Sequence, residues 1–326
     1  MNHWIGRSVL VTGGNGFVGG WLVDDLVRRK ARVTALIRDV IRVSTIELLG
    51  ATPSIRIVHG DAEDLDCIAR TIAEYKVEVV FHLAAQSQVG VANRSPRATI
   101  KTNIMSALNV LEAARLQSDL KALVITSSVN AYGQQERLPY REEDPLRGTY
   151  PYDASMACAD LLAQSYAHTY GMPIAVTRCG NIFGPADTNL NRIIPDTIRS
   201  LCRGEAPVIR SDGMYLRDYL FITDAVAAYR ATAEALLDGR PGIAGEAFNF
   251  GTNRPVTVKA LVEMLIKISG RRIKPRIMNT ASGEIHEQHL SSDKARDILG
   301  WKAGVSLESA LAKTYRWYAR YFKETE

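Results

Sequence analysis

The first half of the chain alternates short apolar runs with longer amphipathic segments. The apolar runs are rich in β-branched residues and predict six strands, at Ser8–Thr12, Arg32–Ile37, Ile55–His59, Val79–Leu83, Leu123–Thr126 and Ile174–Arg178. Apolar spacing of three and four residues predicts helices at Val18–Arg29, Glu63–Tyr75, Ile104–Arg115 and Tyr152–Tyr170. Strands that are apolar throughout are buried on both faces, so the pattern predicts an α/β fold, a Rossmann-type doubly wound parallel sheet.

The regular alternation ends near residue 180, where glycine and proline begin to divide the chain into short elements. Two further helices are predicted, at Thr257–Ser269, with Thr257 as N-cap, and at Leu307–Tyr321. We therefore expect a Rossmann domain over residues 1–180 and a smaller C-terminal lobe over residues 181–326. Some strands of the lobe should return to the main sheet.

Composition narrows the class of protein. The 326 residues are 46% hydrophobic and 23% charged, enough for a large core. The net charge of +5 suits an anionic ligand but is too small and dispersed to indicate nucleic acid. We expect neither a leader segment nor a membrane span, because no apolar run approaches the roughly 20 residues that a span needs. The four cysteines lack CxxC spacing, and we expect reduced buried thiols in a cytoplasmic protein without a metal site, at Cys67, Cys158, Cys179 and Cys202. The histidines His82, His286 and His289 are expected to be structural or exposed.

A glycine-rich loop follows the first strand and precedes a helix. In the loop Thr12–Gly19, Gly13 allows a tight turn, and Gly16 allows the backbone to approach a pyrophosphate closely. Gly19 allows the helix to pack closely on the strand. The helix N-terminus beyond it offers free N–H groups to phosphate. The strand–turn–helix context predicts dinucleotide binding here, with Phe17 and Val18 in the same loop.

The ends of the next strands should meet the rest of a dinucleotide. Ile37 stands where an acidic residue would bind the adenosine ribose of NAD, and Arg38 beside it suits the 2′-phosphate of NADP, so both cofactors stay open. Asp61, followed by Ala62, could accept a hydrogen bond from the adenine amino group. The small residues after the fourth strand leave room for a flat cofactor, in the segment Leu83, Ala84 and Ala85.

These segments together resemble the extended short-chain dehydrogenase/reductase family, the nucleotide-sugar epimerases and dehydratases. The resemblance covers nearly the whole chain and includes, besides Thr12–Gly19, the segments Ser127–Gly133, Pro151–Tyr152, Arg178–Pro185 and Arg217–Tyr219. The segments Gly19–Leu22, Cys158–Leu161 and Pro207–Gly213 are most similar to the CDP-glucose and GDP-mannose 4,6-dehydratase branch. The resemblance implies NAD or NADP as cofactor, a nucleotide-diphosphate sugar as substrate, and a homodimer formed through the helices at Ile104–Arg115 and Tyr152–Tyr170.

The resemblance also assigns catalytic positions. Tyr152 would accept the proton of the sugar C4 hydroxyl, and Ser128 would share that proton. The family has a lysine four residues after the tyrosine, which favours the phenolate and binds the nicotinamide ribose. Met156 occupies that position here and carries no charge.

The residues after Ser128 also depart from the dehydratases, which have an acidic residue there, commonly followed by Glu or Lys, to move protons during loss of water. This chain has Val129 and Asn130, and neither can transfer a proton at ordinary pH. A methionine on a helix and a valine at a strand end are each ordinary core residues. Their joint placement suggests either a natural protein whose chemistry has drifted or a chain altered to trap a substrate.

The expected substrate contacts are Gln86, Ser87, Asn130, Asn181, Arg192, Arg210, Arg217 and Glu284. Arginine suits a diphosphate because its donors match phosphate oxygens. We expect a nucleotide-sugar 4,6-dehydratase-like enzyme that begins by oxidation at C4. The alternatives are an epimerase, a non-catalytic nucleotide-sugar-binding homologue, and a small-alcohol dehydrogenase of the same fold.

Overall fold

The computed structural model describes residues 2–41, 43–281 and 284–325. Its main sheet contains β1 (Ser8–Thr12), β2 (Arg32–Ile37), β3 (Arg56–His59), β4 (Val79–His82), β5 (Ala122–Ser128), β6 (Ile174–Cys179) and β11 (Ala247–Phe250). Short strands follow β6 in the chain, namely β7 (Asn181–Phe183), β8 (Val208–Ile209), β9 (Leu216–Arg217), β10 (Tyr219–Phe221), β12 (Val256–Thr257), β13 (Arg276–Ile277) and β14 (Glu287–Gln288).

Helices connect the strands. They are α1 (Phe17–Arg28), α2 (Thr45–Leu48), α3 (Leu65–Glu74), α4 (Val89–Arg94), α5 (Pro96–Arg115), α6 (Pro151–Tyr170), α7 (Ile193–Arg203), α8 (Ile222–Leu237), α9 (Val258–Ser269), α10 (Asp293–Leu299) and α11 (Leu307–Thr325). Single 3₁₀ turns lie at Thr52–Ser54 and Val129–Tyr132.

The main sheet has the strand order β11-β6-β5-β4-β1-β2-β3, and all its strand pairs are parallel. Alternate residues of β1 point to opposite faces of the sheet. Val9 and Val11 pack in the hydrophobic core that includes α1 and α8, and Leu10 packs in the core that includes α3 and α5. Both faces are therefore covered, and the predicted doubly wound Rossmann-type sheet is confirmed. The order reverses between β1 and β4, which in such sheets creates a crevice at the carboxyl ends of the strands.

The six predicted strands all form, but α5 begins earlier than predicted, and α8 and the short helices α2, α4 and α10 were not predicted. The helix α5 begins at Pro96 instead of Ile104, because proline at a first helical position supplies a backbone angle suited to the helix. The helix α8 was not predicted. It follows β10 without an intervening turn, and its many alanines give little contrast between an apolar and a polar face.

The residues after β7 form three small sheets, β10-β7, β13-β8 and β12-β9-β14, and β11 returns to the main sheet. Thr257 caps α9 as predicted, since its hydroxyl accepts from the backbone N–H of Ala260 at 3.1 Å. The small sheets lie beyond the carboxyl ends of the main sheet, where β9 presents Arg217 to the crevice.

The four cysteines form no disulfide bond with one another. Cys67 and Cys179 are buried, Cys202 is partly exposed, and Cys158 is exposed, so the expectation of buried thiols is wrong for Cys158, which lies on the outer side of α6. Within the described ranges no helix has both the length and the apolar character needed to cross a membrane.

Candidate functional site

One cavity of about 1110 Å³ lies at the carboxyl ends of the main sheet, between the sheet and the C-terminal lobe. This volume is above the usual range for a single small ligand, about 300–1,000 Å³. The residues expected at the site all line it: Gly13, Gly16, Phe17, Val18, Gly19, Arg38, Asp61, Ala62, Leu83, Ala84, Ala85, Gln86, Ser87, Ser128, Asn130, Tyr152, Met156, Asn181, Arg192, Arg210, Arg217 and Glu284. The fold thus brings both groups of candidates, cofactor and substrate, to one continuous space.

The glycine loop forms a cradle that larger residues would fill. Gly13 has φ +68°, and a Cβ there would lie 2.9 Å from the Ala84 Cα. A Cβ on Gly19 would lie 2.1 Å from the Gly13 carbonyl oxygen. The loop therefore needs glycine at both positions, and α1 begins beside it with no side-chain cap on its first N–H groups. This arrangement fits a pyrophosphate.

The adenosine end of the cavity carries charges of both signs. The Arg38 guanidinium lies 2.7 Å from the Asp39 carboxylate, and that partner raises the pKa of Arg38. Asp61 accepts from the backbone N–H of Glu63 at 3.0 Å and keeps further acceptor capacity. Arg38 thus already has an anionic partner at this end of the cavity.

Tyr152 and Ser128 both line the cavity. Ser128 ends β5, and Tyr152 is the second residue of α6. Burial raises the pKa of Tyr152, while the hydrogen bond with Ser128 and the charge of Arg192 act in the opposite direction. The pair can share a proton with a ligand hydroxyl, but the phenol is held mostly neutral near neutral pH.

Met156 lies one helical turn beyond Tyr152 and is almost fully buried. It packs with Ala131 and Ala157, and its sulfur lies 3.8 Å from the Asn103 amide nitrogen. Arg178 is no substitute for a lysine here, because its guanidinium is committed to Asp160, at 2.8 Å. Position 156 therefore supplies packing and no charge.

The two positions after Ser128 are neutral in the structure as in the sequence. Val129 is buried, with 2% of its surface exposed. The Asn130 amide donates to the Asp153 carboxylate at 3.0 Å and accepts from Gln288 at 3.4 Å. Asn130 is thus held by other side chains, and Asp153 lies behind it as a buried carboxyl whose pKa burial raises.

The lobe contributes polar groups at the far end of the cavity. Arg217 donates to the backbone carbonyls of Leu216 and His286 and lies 3.7 Å from the Glu284 carboxylate. Arg210 is exposed at the rim. Among the described residues, the buried amide nitrogen of Asn181 has no hydrogen-bond partner, so it is an unmet donor at the wall of the cavity.

Several polar residues of the site were missed by sequence reasoning. Asn103 accepts from the backbone N–H of Gln86 at 2.7 Å and donates to Ser155 at 2.8 Å, so it ties the wall of the cavity to α6. It lies in the first part of α5, outside the predicted helix. Asp187, the buried partner of Arg192 at 2.9 Å, lies in a loop with no periodic signal.

His82 follows the expectation of a structural histidine. His82 is buried between Thr12 and Ser106, at 2.8 and 3.3 Å, and burial lowers its pKa to about 4. It is a neutral structural residue. Among the described residues, no group of three or more His, Cys, Asp or Glu side chains could hold a metal ion.

Known proteins share this architecture along the whole chain. A model of the family described as GDP-mannose 4,6 dehydratase matches residues 10–314. The chain belongs to this family. The expected membership of the extended short-chain dehydrogenase/reductases, nucleotide-sugar dehydratases and epimerases, is confirmed.

Similar proteins include both dehydratases and epimerases. The CDP-glucose 4,6-dehydratase of Salmonella typhimurium is 29% identical over 99% of this chain and 93% of its own. The dTDP-glucose 4,6-dehydratase of Xanthomonas campestris pv. campestris is 31% identical over 95% of this chain and 92% of its own. Among solved structures, the UDP-glucose 4-epimerase of Thermotoga maritima with UDP-glucose has a TM-score of 0.88 and 29% identity, covering 97% of this chain and 100% of that one. The dTDP-glucose 4,6-dehydratase of Bacillus anthracis in complex with NAD has a TM-score of 0.85 and 25% identity, over 96% and 97%.

Proposed function

We propose that this chain binds NAD or NADP together with a nucleotide-diphosphate sugar, oxidises the sugar at C4 and reduces it again, and so acts as a 4-epimerase. The observation that carries the proposal is the pair Tyr152 and Ser128, placed in a cavity large enough for both ligands. The two neutral positions beside the pair supply no acid for loss of water.

Residues on three sides would hold the cofactor. The cradle formed by Gly13 and Gly19 would bind the pyrophosphate. Asp61 would contact the adenine, and the flat ring system would pass close to Ala84. When bound, the nicotinamide supplies the acceptor and later the donor of the hydride exchanged with C4. The chain's own residues then need only move one proton and orient the sugar.

Tyr152 performs the proton step in this proposal. Its phenolate oxygen takes the proton of the C4 hydroxyl as the C–H bond of C4 breaks, and it returns that proton when the carbonyl is reduced. Ser128 donates to the same oxygen and lowers the cost of the phenolate. No atom leaves the sugar, so the mass of the product equals that of the substrate.

The lobe would hold the nucleotide and its diphosphate. Arg217 and Arg210 line the far end of the cavity with donors suited to phosphate oxygens, and the unmet amide nitrogen of Asn181 suits an oxygen of the sugar or diphosphate. Buried donors without partners are costly, so a ligand that satisfies Asn181 gains binding energy.

The 4,6-dehydration expected first remains the nearest alternative, and the dehydratases among the relatives favour it. Loss of water requires removal of a second proton, from C5, and delivery of one to the departing hydroxyl group. Val129 can do neither, and the amide of Asn130 is occupied by Asp153 and Gln288. If dehydration is latent here, Val129→Asp combined with Met156→Lys should reveal it.

The test is incubation of the protein with NAD or NADP and a panel of nucleotide-diphosphate glucose and mannose compounds in deuterated water. Epimerisation predicts a product of unchanged mass without solvent deuterium on carbon, and Tyr152→Phe should abolish it. Loss of one water with deuterium uptake would show a dehydratase. Tight binding of both ligands without any product would show a non-catalytic binding homologue and refute the proposal.

We further propose a homodimer through the outer faces of α5 and α6, which pack against each other within the chain. Ile100, Met105 and Leu161 are exposed on these helices, with Leu161 55% exposed. Leu161→Glu should convert a dimer to a monomer in light scattering after size-exclusion chromatography. A wild-type monomer would refute this arrangement.

A further inference from the structure

We propose that Asp153 and Gln288 are positioning residues of the site, which act through the Asn130 amide that lies between them. The inference deepens the proposed function and rests on it, because the alignment of Ser128 and Tyr152 matters to a rate only if this pair acts on a substrate. Neither Asp153 nor Gln288 was expected at the site from the sequence.

The first step is the link between Ser128 and Asn130. Ser128 ends β5 and is followed by the single 3₁₀ turn Val129–Tyr132. The backbone N–H of Asn130 donates to the Ser128 Oγ at 3.2 Å, so the position of the turn sets the direction of that hydroxyl. Both residues line the cavity. A displacement of Asn130 therefore moves a hydroxyl at the cavity wall.

The second step is the link from Asn130 to the helix of Tyr152. The Asn130 Nδ2 donates to the Asp153 Oδ1 at 3.0 Å, and only 1% of Asp153 is exposed. The other carboxylate oxygen accepts from the backbone N–H of Tyr150 at 3.4 Å, at the start of α6. A buried carboxylate is costly without such donors, so Asp153 holds the turn against the part of α6 that carries Tyr152. Asp153 directly follows Tyr152 but is not among the described residues that line the cavity.

The third step is the link from Asn130 to the lobe. Gln288 lies in β14, is 5% exposed, and donates from its Nε2 to the Asn130 Oδ1 at 3.4 Å. The pairing of β14 with β9 sets Gln288 beside Arg217, one of the proposed phosphate contacts. The two ends of the Asn130 amide thus join the helix of Tyr152 to the strand pair that carries Arg217.

Packing on the lobe side fixes this contact in place. Val129 and Leu290 are buried in one hydrophobic cluster. Tyr140 of the same cluster donates its backbone N–H to the His289 carbonyl at 2.9 Å. Both lobe residues directly follow Gln288 in the chain, so the segment that carries Gln288 is docked on the turn independently of its own hydrogen bond.

The hydrogen bonds through Asn130 run in one direction. Gln288 donates to Asn130, and Asn130 donates to Asp153. Because an amide has donors at one end and an acceptor at the other, the direction reverses if the carboxylate stands at the opposite end. Among the described residues no hydrogen bond joins Asp153 and Gln288 directly, so we expect energetic coupling between them to pass through Asn130.

Changes at the two ends test this chain of bonds. Gln288→Met keeps the length of the side chain without a donor. It should lower kcat about tenfold with little change in KM, because Arg217 keeps its own bonds to the lobe. Gln288→Glu places a carboxylate on each side of the Asn130 amide and should also lower kcat.

A second change at position 153 distinguishes the chain of bonds from a local effect at position 288. Adding Asp153→Asn to Gln288→Glu reverses the direction of the bonds and should restore most of the lost kcat. Adding it to Gln288→Met should restore nothing, because no partner for a reversed amide is present. Glu287→Gln is the matched control, since Glu287 precedes Gln288 in β14 and its side chain is 47% exposed. This control should behave as wild type.

Unfolding in urea tests the same bonds without any turnover. Wild type, Asp153→Asn, Gln288→Glu and the double variant form a cycle of unfolding free energies. We expect Asp153→Asn to reduce the cost of Gln288→Glu in this cycle. A wild-type protein that shows the coupling but has no turnover would refute only the proposed function.

Two results would overturn the inference itself. One is additivity of Asp153→Asn and Gln288→Glu in unfolding free energy, or in kcat, which would show that no chain of bonds joins the two residues. The other is a Gln288→Met enzyme that is folded by circular dichroism and has wild-type kcat. A raised KM alone in that variant would make Gln288 a residue of the binding lobe without a positioning role.

Discussion

Met156→Lys is the substitution from which we expect the largest gain in rate. Methionine and lysine have similar lengths, and an ammonium nitrogen would extend one atom beyond the methionine methyl carbon. Since Met156 already lines the cavity, that atom can reach its edge beside Tyr152. Burial raises the pKa of Tyr152 above the ordinary value of 10.0, so the phenolate is scarce at neutral pH.

The size of the expected gain in kcat follows from adding one positive charge near Tyr152 in a site that is partly shielded from water. Such a charge lowers a phenol pKa by about one to three units. Below the pKa, the phenolate fraction and with it kcat should rise about 10- to 1,000-fold. Because the base form is the deprotonated one, activity of the wild type should increase with pH, and in Met156→Lys the rise should occur at lower pH.

The residues around Met156 partly oppose a lysine at this position. The Asn103 amide group that faces the sulfur is a donor, so an ammonium there must turn toward the cavity instead. Met156→Leu keeps the packing without the charge and serves as the control, with thermal unfolding measured for each protein. A folded Met156→Lys protein with wild-type kcat and an unshifted pH profile would refute the electrostatic reasoning.

The remaining predictions concern binding and stability. Gly19→Ala should abolish cofactor binding measured by calorimetry, because its Cβ would lie 2.1 Å from the Gly13 oxygen; unchanged affinity would contradict the cradle. Asp160→Asn should lower the free energy of unfolding in urea by about 3–5 kcal/mol, because it leaves the buried Arg178 guanidinium without an anion; a loss below 1 kcal/mol would contradict this. Arg217→Met should weaken nucleotide-sugar binding by about 1.5–3 kcal/mol with little change in kcat, and an unchanged KM would remove it from the site.

The sheet was predictable because its inner strands are predominantly apolar and are separated by periodic helices, whereas the edge strand β3 is mostly exposed. The glycine loop was predictable for a related reason: Gly13 and Gly19 act through local backbone geometry, which the spacing of three glycines after a strand already expresses. The start of α5 was missed because Pro96–Asn103 is largely polar, and its buried Asn103 is satisfied by contacts distant in sequence.

The polar pairs of the site could not be derived from local pattern. Arg178 and Asp160 are 18 residues apart and meet only because β6 lies against α6. Arg192 and Asp187 are close in sequence, yet their position over Phe17 depends on a loop anchored to α1, α2 and α11. Sequence could place Arg192 among the charged candidates, but its pairing with Asp187 beside the cofactor loop required the fold.

The central claim is that Tyr152 supports removal of hydrogen from C4 of a bound nucleotide sugar. The most direct measurement is rapid mixing of the NAD- or NADP-loaded protein with nucleotide sugar carrying deuterium at C4, followed by mass analysis of the cofactor and near-ultraviolet absorbance. We predict transient reduced cofactor that carries the deuterium in wild type and none in Tyr152→Phe. Saturated binding of both ligands with no reduced cofactor at any pH, in wild type and in Met156→Lys alike, would contradict the account.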